Sequence, residues 1–71
     1  MKPRKMSKFN ITPKKLIKIL HKNQFYFIRQ NGSHALFKNF NKNLKVIIPI
    51  HSKDIPIGTL KAILKDAEIE L

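Results

Sequence analysis

Phe25-Tyr26-Phe27-Ile28-Arg29-Gln30-Asn31-Gly32-Ser33-His34-Ala35-Leu36-Phe37-Lys38-Asn39 is the stretch that decides the fold. Residues 25–28 are aromatic and apolar and carry no helix-capping signal, so they read as a strand. Asn31-Gly32 is the commonest signal for a tight hairpin, because both residue types tolerate the positive φ such turns demand. A second strand then runs from Ser33 to about Asn39. Strand side chains alternate between faces, which sets His34, Leu36 and Lys38 on one face and Ala35 and Phe37 on the other. Ala35 and Phe37 are the better core candidates. His34 is therefore expected on an accessible face, near Arg29 and Lys38.

Working outward, Asn41-Lys42-Asn43 supplies a further turn. Leu44 to Ile50 is rich in β-branched residues and gives a third strand ending near Pro49. Upstream, Thr12 is a good N-cap, Pro13 suits the first helical position, and Leu16, Ile17 and Leu20 recur at helical spacing, so a helix is expected over about 13–22 with Asn23 as its stop. Downstream, Leu60, Ile63, Leu64 and Ala67 fall at i, i+3, i+4 and i+7, the pattern of an amphipathic helix beginning between Pro56 and Thr59. Ile69 and Leu71 can pack after it. The order is α-β-β-β-α. Each helix has one apolar stripe and the sheet needs one covered face, so both helices belong on the same side of a three-stranded antiparallel meander. This is an α+β layout, that of a double-stranded-RNA-binding domain. Residues 1–9, with Lys2, Arg4, Lys5 and Lys8, read as a basic flexible arm, and residues 10–71 as one domain.

The 71 residues hold 15 Lys and Arg against 4 Asp and Glu, a formal charge of +11. An AT-rich coding bias explains lysine over arginine but not the deficit of acid, since it would raise glutamate as well. The balance points to a polyanionic partner, with nucleic acid first. No cysteine is present, so neither a disulfide framework nor a thiolate zinc site supplements the core. The longest apolar runs are four or five residues, far short of the roughly 20 that span a bilayer. The expectation is a soluble, cytoplasmic protein with no membrane partner.

Groups able to do chemistry are few. The four acidic side chains are Asp54, Asp66, Glu68 and Glu70, three of them crowded at the end of the second helix. That is not the converging carboxylate set a magnesium nuclease uses. His21, His34 and His51 are widely spaced, without a metal-binding pattern, so no metal or other cofactor is expected. A metal-free route to RNA cleavage exists, because RNA carries its own nucleophile, the 2′-hydroxyl. Cleavage then needs a base, a proton donor for the leaving 5′-oxygen and cations at the phosphate. Histidine can serve as base or acid near neutral pH. His34 stands beside the predicted turn, His51 closes the third strand, and His21 sits among Lys18 and Lys22 as a solvated residue. Lys14 and Lys15 lie in the first turn of the first helix, where the dipole disfavours cations. There they either hold a phosphate with the helix N-terminus or stand as solvated surface lysines.

Phe25, then Arg29-Gln30-Asn31-Gly32-Ser33-His34, then Ile48-Pro49-Ile50-His51, then Gly58-Thr59-Leu60 leading into Ile63-Leu64-Lys65-Asp66-Ala67, together resemble the HicA mRNA interferase toxins. The resemblance runs from Thr12 to about Ile69, and its specificity lies in the order and spacing of motifs that are individually weak. It implies a double-stranded-RNA-binding-like fold and a metal-independent endoribonuclease that cleaves mRNA and arrests translation. It further implies a HicB-like antitoxin that blocks the active site. The family's catalytic histidine lies in its Gly-Ser-His motif, which is His34 here. Residue chemistry suggests that Gly32 permits the tight turn and a close approach of RNA, and that Ser33 orients a phosphate or the ring. Arg29, Lys38, Lys14 and Lys15 are the candidate phosphate contacts, with His51 or Tyr26 as the second proton-transfer group. The chain departs from the family where Gln24 and Glu68 replace frequent glycines after the two helices, and where Ala35 follows the motif histidine.

Two other functions fit the residues alone: a non-catalytic module that binds duplex RNA by shape, and a protein-interaction subunit whose basic face receives an acidic partner. Cleavage of labelled mRNA in EDTA separates the first reading from both.

Overall fold

The computed structural model describes residues 11–51 and 53–70; the basic arm expected over residues 1–9 lies outside them, as does Leu71. The elements run α1 (Pro13–Lys22), β1 (Tyr26–Asn31), β2 (His34–Asn39), β3 (Leu44–Pro49) and α2 (Ile57–Ala67). The strands form one antiparallel sheet in the order β1-β2-β3. This is the α-β-β-β-α double-stranded-RNA-binding-like fold that the sequence predicts, with small shifts at the ends. Phe25 is a buried residue before β1 rather than its first member, and β2 begins at His34 rather than Ser33.

One core joins the sheet to both helices. Ala35 and Phe37 of β2 and Val46 and Ile48 of β3 are buried with Leu16 and Leu20 of α1 and Leu60, Ile63 and Ala67 of α2. Both helices therefore cover the same sheet face, and none of the other described residues covers the opposite, open face. Ile11, just before α1, bridges Ile55, just before α2, with the Ile55 N–H donating to the Ile11 carbonyl at 2.8 Å. That bridge holds the two helix N-termini at one end of the molecule. Thr12 caps α1, its hydroxyl accepting from the Lys15 N–H at 3.2 Å. Pro56 begins α2 without a side-chain cap.

At the other end, Asn39 is the one buried polar residue among those described, 4% exposed. Its amide donates to the Asn23 carbonyl at 3.1 Å and its oxygen accepts the Lys42 N–H at 2.9 Å. A single side chain thus satisfies the end of α1 and the β2–β3 turn together.

Both helices stop in the same way. After α1, the Phe25 N–H donates to the Leu20 carbonyl and the Gln24 N–H to that of His21. After α2, the Ile69 N–H reaches Leu64 and the Glu68 N–H reaches Lys65. This paired arrangement needs a left-handed residue, and Gln24 (φ 68°) and Glu68 (φ 58°) fill that role without being glycine. They are the two positions where the chain departs from the glycines of the family it resembles. A side chain in that region costs ~1–2 kcal/mol, partly offset by the greater freedom glycine has when unfolded. Gln24→Gly and Glu68→Gly should therefore each raise stability by about 0.5–1 kcal/mol. Urea denaturation checks this, and an unchanged or lower midpoint for both would contradict the cost assigned to the two turns.

Candidate active site on the open sheet face

The register places the open face in three cross-strand rows: Asn31, His34 and Pro49; Arg29, Leu36 and Ile47; and Lys38 and Lys45, with Tyr26 paired to Lys38 at the sheet edge but its ring near His21 of α1. Successive rows are about 6.6 Å apart along the strands and neighbouring strands about 4.8 Å apart. A concavity of about 530 Å³ lies on this face, lined by Arg29, Asn31, His34, Leu36, Lys45 and Ile47. Among the described residues its lining holds two basic side chains, an imidazole, an amide and two aliphatic side chains, with no carboxylate. His34 is exposed at its rim, at the start of β2.

A β-bulge creates the Arg29 position. Phe27 faces Phe37 and Arg29 faces Leu36, so Ile28 is an extra residue in β1 with no partner in β2. Phe27 sits with its ring edge-on to Phe37, 5.8 Å between centroids, on the helix side of the sheet. Strict alternation would send Arg29 to that same side. The inserted residue reverses the parity and delivers Arg29 and Asn31 to the open face beside Leu36 and His34.

The hairpin differs in detail from the expected Asn31-Gly32 turn. Asn31 pairs with His34, so the two loop residues are Gly32 and Ser33, and of these only Gly32 has a left-handed backbone, φ 64°. This is the Gly-first pattern of a type II′ hairpin. The Ser33 carbonyl is committed to the Ile50 N–H at 2.8 Å, and the Gln30 amide donates across the turn to the Gly32 carbonyl at 3.0 Å. Both bonds fix the backbone that leads into His34.

The other sequence candidates divide by location. Gly32 and Ser33 adjoin His34 in the chain but do not line the concavity. Lys38 shares the open face yet lies four residues along β2, roughly 13 Å from His34, with its ammonium 5.1 Å from the centre of the Phe40 ring. Tyr26 is at the far end of β1, its ring 6.2 Å from that of His21, too distant to exchange a proton with His34. His51 follows β3 by two residues and is exposed at the His34 end, outside the concavity. Lys14 and Lys15 are exposed at that end too, but in the helix layer. Sequence reasoning overlooked Lys45 and Ile47. Strand parity could have found them, since burying Val46 and Ile48 sends 45 and 47 outward.

Elsewhere, a smaller hollow of about 260 Å³ sits at the opposite end among Asn23, Gln24, Asn39 and Asn41, where the Asn41 amide donates to Gln24 at 2.7 Å. It is amide-rich, and its Lys42 and Glu68 lie 3.9 Å apart as an exposed ion pair. Among the described residues no three His, Asp or Glu side chains gather into a metal-binding set, and no helix is long and apolar enough to cross a membrane.

A double-stranded-RNA-binding-like scaffold carrying a basic concavity with a histidine at its rim defines the class: a small α+β protein with a cationic sheet face. Residues 13–69 match the family described as the HicA toxin of bacterial toxin-antitoxin systems, and the chain belongs to that family. It is the toxin component of such a system. No curated protein matches the chain as a close relative.

The left-handed φ at Gly32 yields a test of the hairpin. A Cβ there meets nothing within 4 Å, so the penalty of Gly32→Ala is conformational only. The variant should lose about 1–2 kcal/mol, because an L side chain there meets the positive-φ penalty that glycine escapes. A urea midpoint equal to that of the unsubstituted chain would argue against the positive-φ turn.

Proposed function

We propose that the protein is a metal-independent endoribonuclease that cleaves mRNA, with His34 as its catalytic residue. The observation that carries the reading is the company His34 keeps: an exposed imidazole on a concave face with Arg29 and Lys45 and with no carboxylate in the lining. Family membership supports the toxin role, and arrest of translation by mRNA cleavage accounts for toxicity.

In the reaction, a base removes the proton of the 2′-hydroxyl, the freed oxygen attacks the adjacent phosphorus, and the bond from phosphorus to the 5′-oxygen breaks. The leaving oxygen takes up a proton. His34 serves at one of these two proton transfers, and His51, exposed at the same end of the sheet, is the remaining histidine candidate for the other. Arg29 stabilises the charge that develops on the phosphate oxygens. Gly32 allows close approach of the strand and Ser33 offers a hydroxyl beside it, while Lys14, Lys15 and Lys38 hold more distant phosphates. The inhibitor in this scheme is a HicB-like antitoxin that covers the open face, and the site of action is the cytoplasm.

The competing reading, a module that binds duplex RNA without cutting it, draws on the fold and the charge alone. Incubation of the purified chain with labelled mRNA in EDTA decides between them. Cleavage should persist in EDTA and leave 2′,3′-cyclic phosphate ends or their opened form. His34→Ala should lower the rate by ~10²-fold or more while leaving folding and RNA binding nearly intact. Full activity in that variant would remove His34 from the mechanism.

A further inference from the structure

The open face bears more exposed apolar surface than phosphate binding requires. Ile47 is 57% exposed at the centre of its strand, and its cross-strand neighbour Leu36 is half-buried beside it. Together they make an aliphatic floor in the middle row. Arg29 closes that row at one end, Lys45 stands one row towards the β2–β3 turn, and His34 and Asn31 stand one row towards the hairpin. Apolar floor, cations on two sides, an amide at the edge and no carboxylate make a composite requirement. The occupant must be anionic and must also present a flat apolar surface.

An unpaired nucleotide meets that requirement and a duplex does not. In a duplex the base faces are stacked inside, and only phosphates, sugars and groove edges reach the protein. In a single strand each base can turn outward, lay its face on a protein surface and keep its phosphates in contact with cations. The concavity, about 530 Å³, falls in the range that holds a small-ligand-sized group such as one nucleotide. We propose that Leu36 and Ile47 form a base-binding subsite, on which an unpaired nucleobase next to the scissile phosphate lies flat while Arg29 and Lys45 hold the flanking phosphates. The proposal rests on the nuclease reading for the identity of the scissile phosphate. It assigns single-stranded RNA as the substrate class and the sheet, rather than the helix layer, as the surface that reads it. The Asn31 amide is the group within this subsite able to hydrogen-bond a base edge.

The test separates the subsite from the chemistry by measuring binding without cleavage. In the full chain carrying His34→Ala, fluorescence anisotropy compares three probes of equal length: a single-stranded RNA, its duplex with the complement, and an abasic strand with the same phosphates. The single strand should bind at least about 10-fold more tightly than the abasic strand, as expected of one base contact, and more tightly than the duplex. Adding Ile47→Asp should bring single-strand affinity down to the abasic level. Ala62→Asp, which introduces the same charge at an exposed position of α2 in the helix layer, should change it less than about 2-fold. Equal affinity for abasic and normal strands, or for duplex and single strand, overturns the proposal, and neither comparison depends on the Ile47→Asp variant folding. Loss of antitoxin binding in Ile47→Asp with RNA affinity unchanged also overturns it and makes the face a protein interface. If the chain with His34 intact cleaves RNA and Ile47→Asp matches its kcat/KM, the subsite fails and the nuclease stands. If that chain cleaves no RNA, the nuclease reading fails while the binding comparisons still decide the subsite.

Discussion

Everything on the functional face follows from the side-chain parity of β2 and β3. Four residues, Ala35, Phe37, Val46 and Ile48, must point towards the helices for there to be a core at all. The strand repeat of two then leaves no freedom for their neighbours. His34, Leu36, Lys45 and Ile47 have to face the other way. The catalytic candidate, the aliphatic floor and one of its cations are thus exposed as a consequence of packing, and a one-residue slip would bury all four against the helices while expelling the core. Stability and the site are specified by the same register.

β1 is held less firmly, and its irregularity matters more. All six of its residues are exposed, and among the described residues only one neighbouring strand binds it. Parity is therefore cheap to break there. The Ile28 bulge breaks it once, so that Phe27 keeps its edge contact with Phe37 on the helix side while Arg29 reaches the open side. A regular strand could supply the aromatic contact or the arginine, but not both at these positions. The bulge also interrupts the exposed edge of the sheet, which discourages pairing with another chain.

The features legible in the sequence are those that follow from local periodicity. Thr12-Pro13 starts α1 where its capping chemistry requires, and the Leu60 to Ala67 stripe lies in α2 as spaced. The outward direction of His34 came from alternation within a single strand. What was not legible depended on pairing between strands. Lys38 looks like a neighbour of His34 when only face is counted, whereas distance along the strand separates them. Tyr26 suffers the same fate at the end of β1. Arg29 was correctly grouped with His34, yet no residue pattern in 25–31 announces the bulge that brings it there. The turn shifted by one residue because Ser33 is bonded to Ile50, nineteen positions away from Asn31, and local propensity cannot anticipate such a partner.

The two ends of the sheet divide strain and function between them. At the end away from His34, Gln24, Asn43 and Glu68 all hold left-handed backbones without being glycine. The buried amide of Asn39 and the terminal hydrogen bonds of both helices offset those local costs. At the His34 end the only left-handed residue among those described is Gly32, which takes that conformation freely, and the backbone around it is tied by the Ser33–Ile50 and Ile11–Ile55 bonds. An active site gains from a backbone that is both unstrained and fixed, since the proton-transfer geometry tolerates little displacement. The sequence spends its one turn glycine beside the candidate site, and leaves its left-handed non-glycine residues at the far end of the sheet.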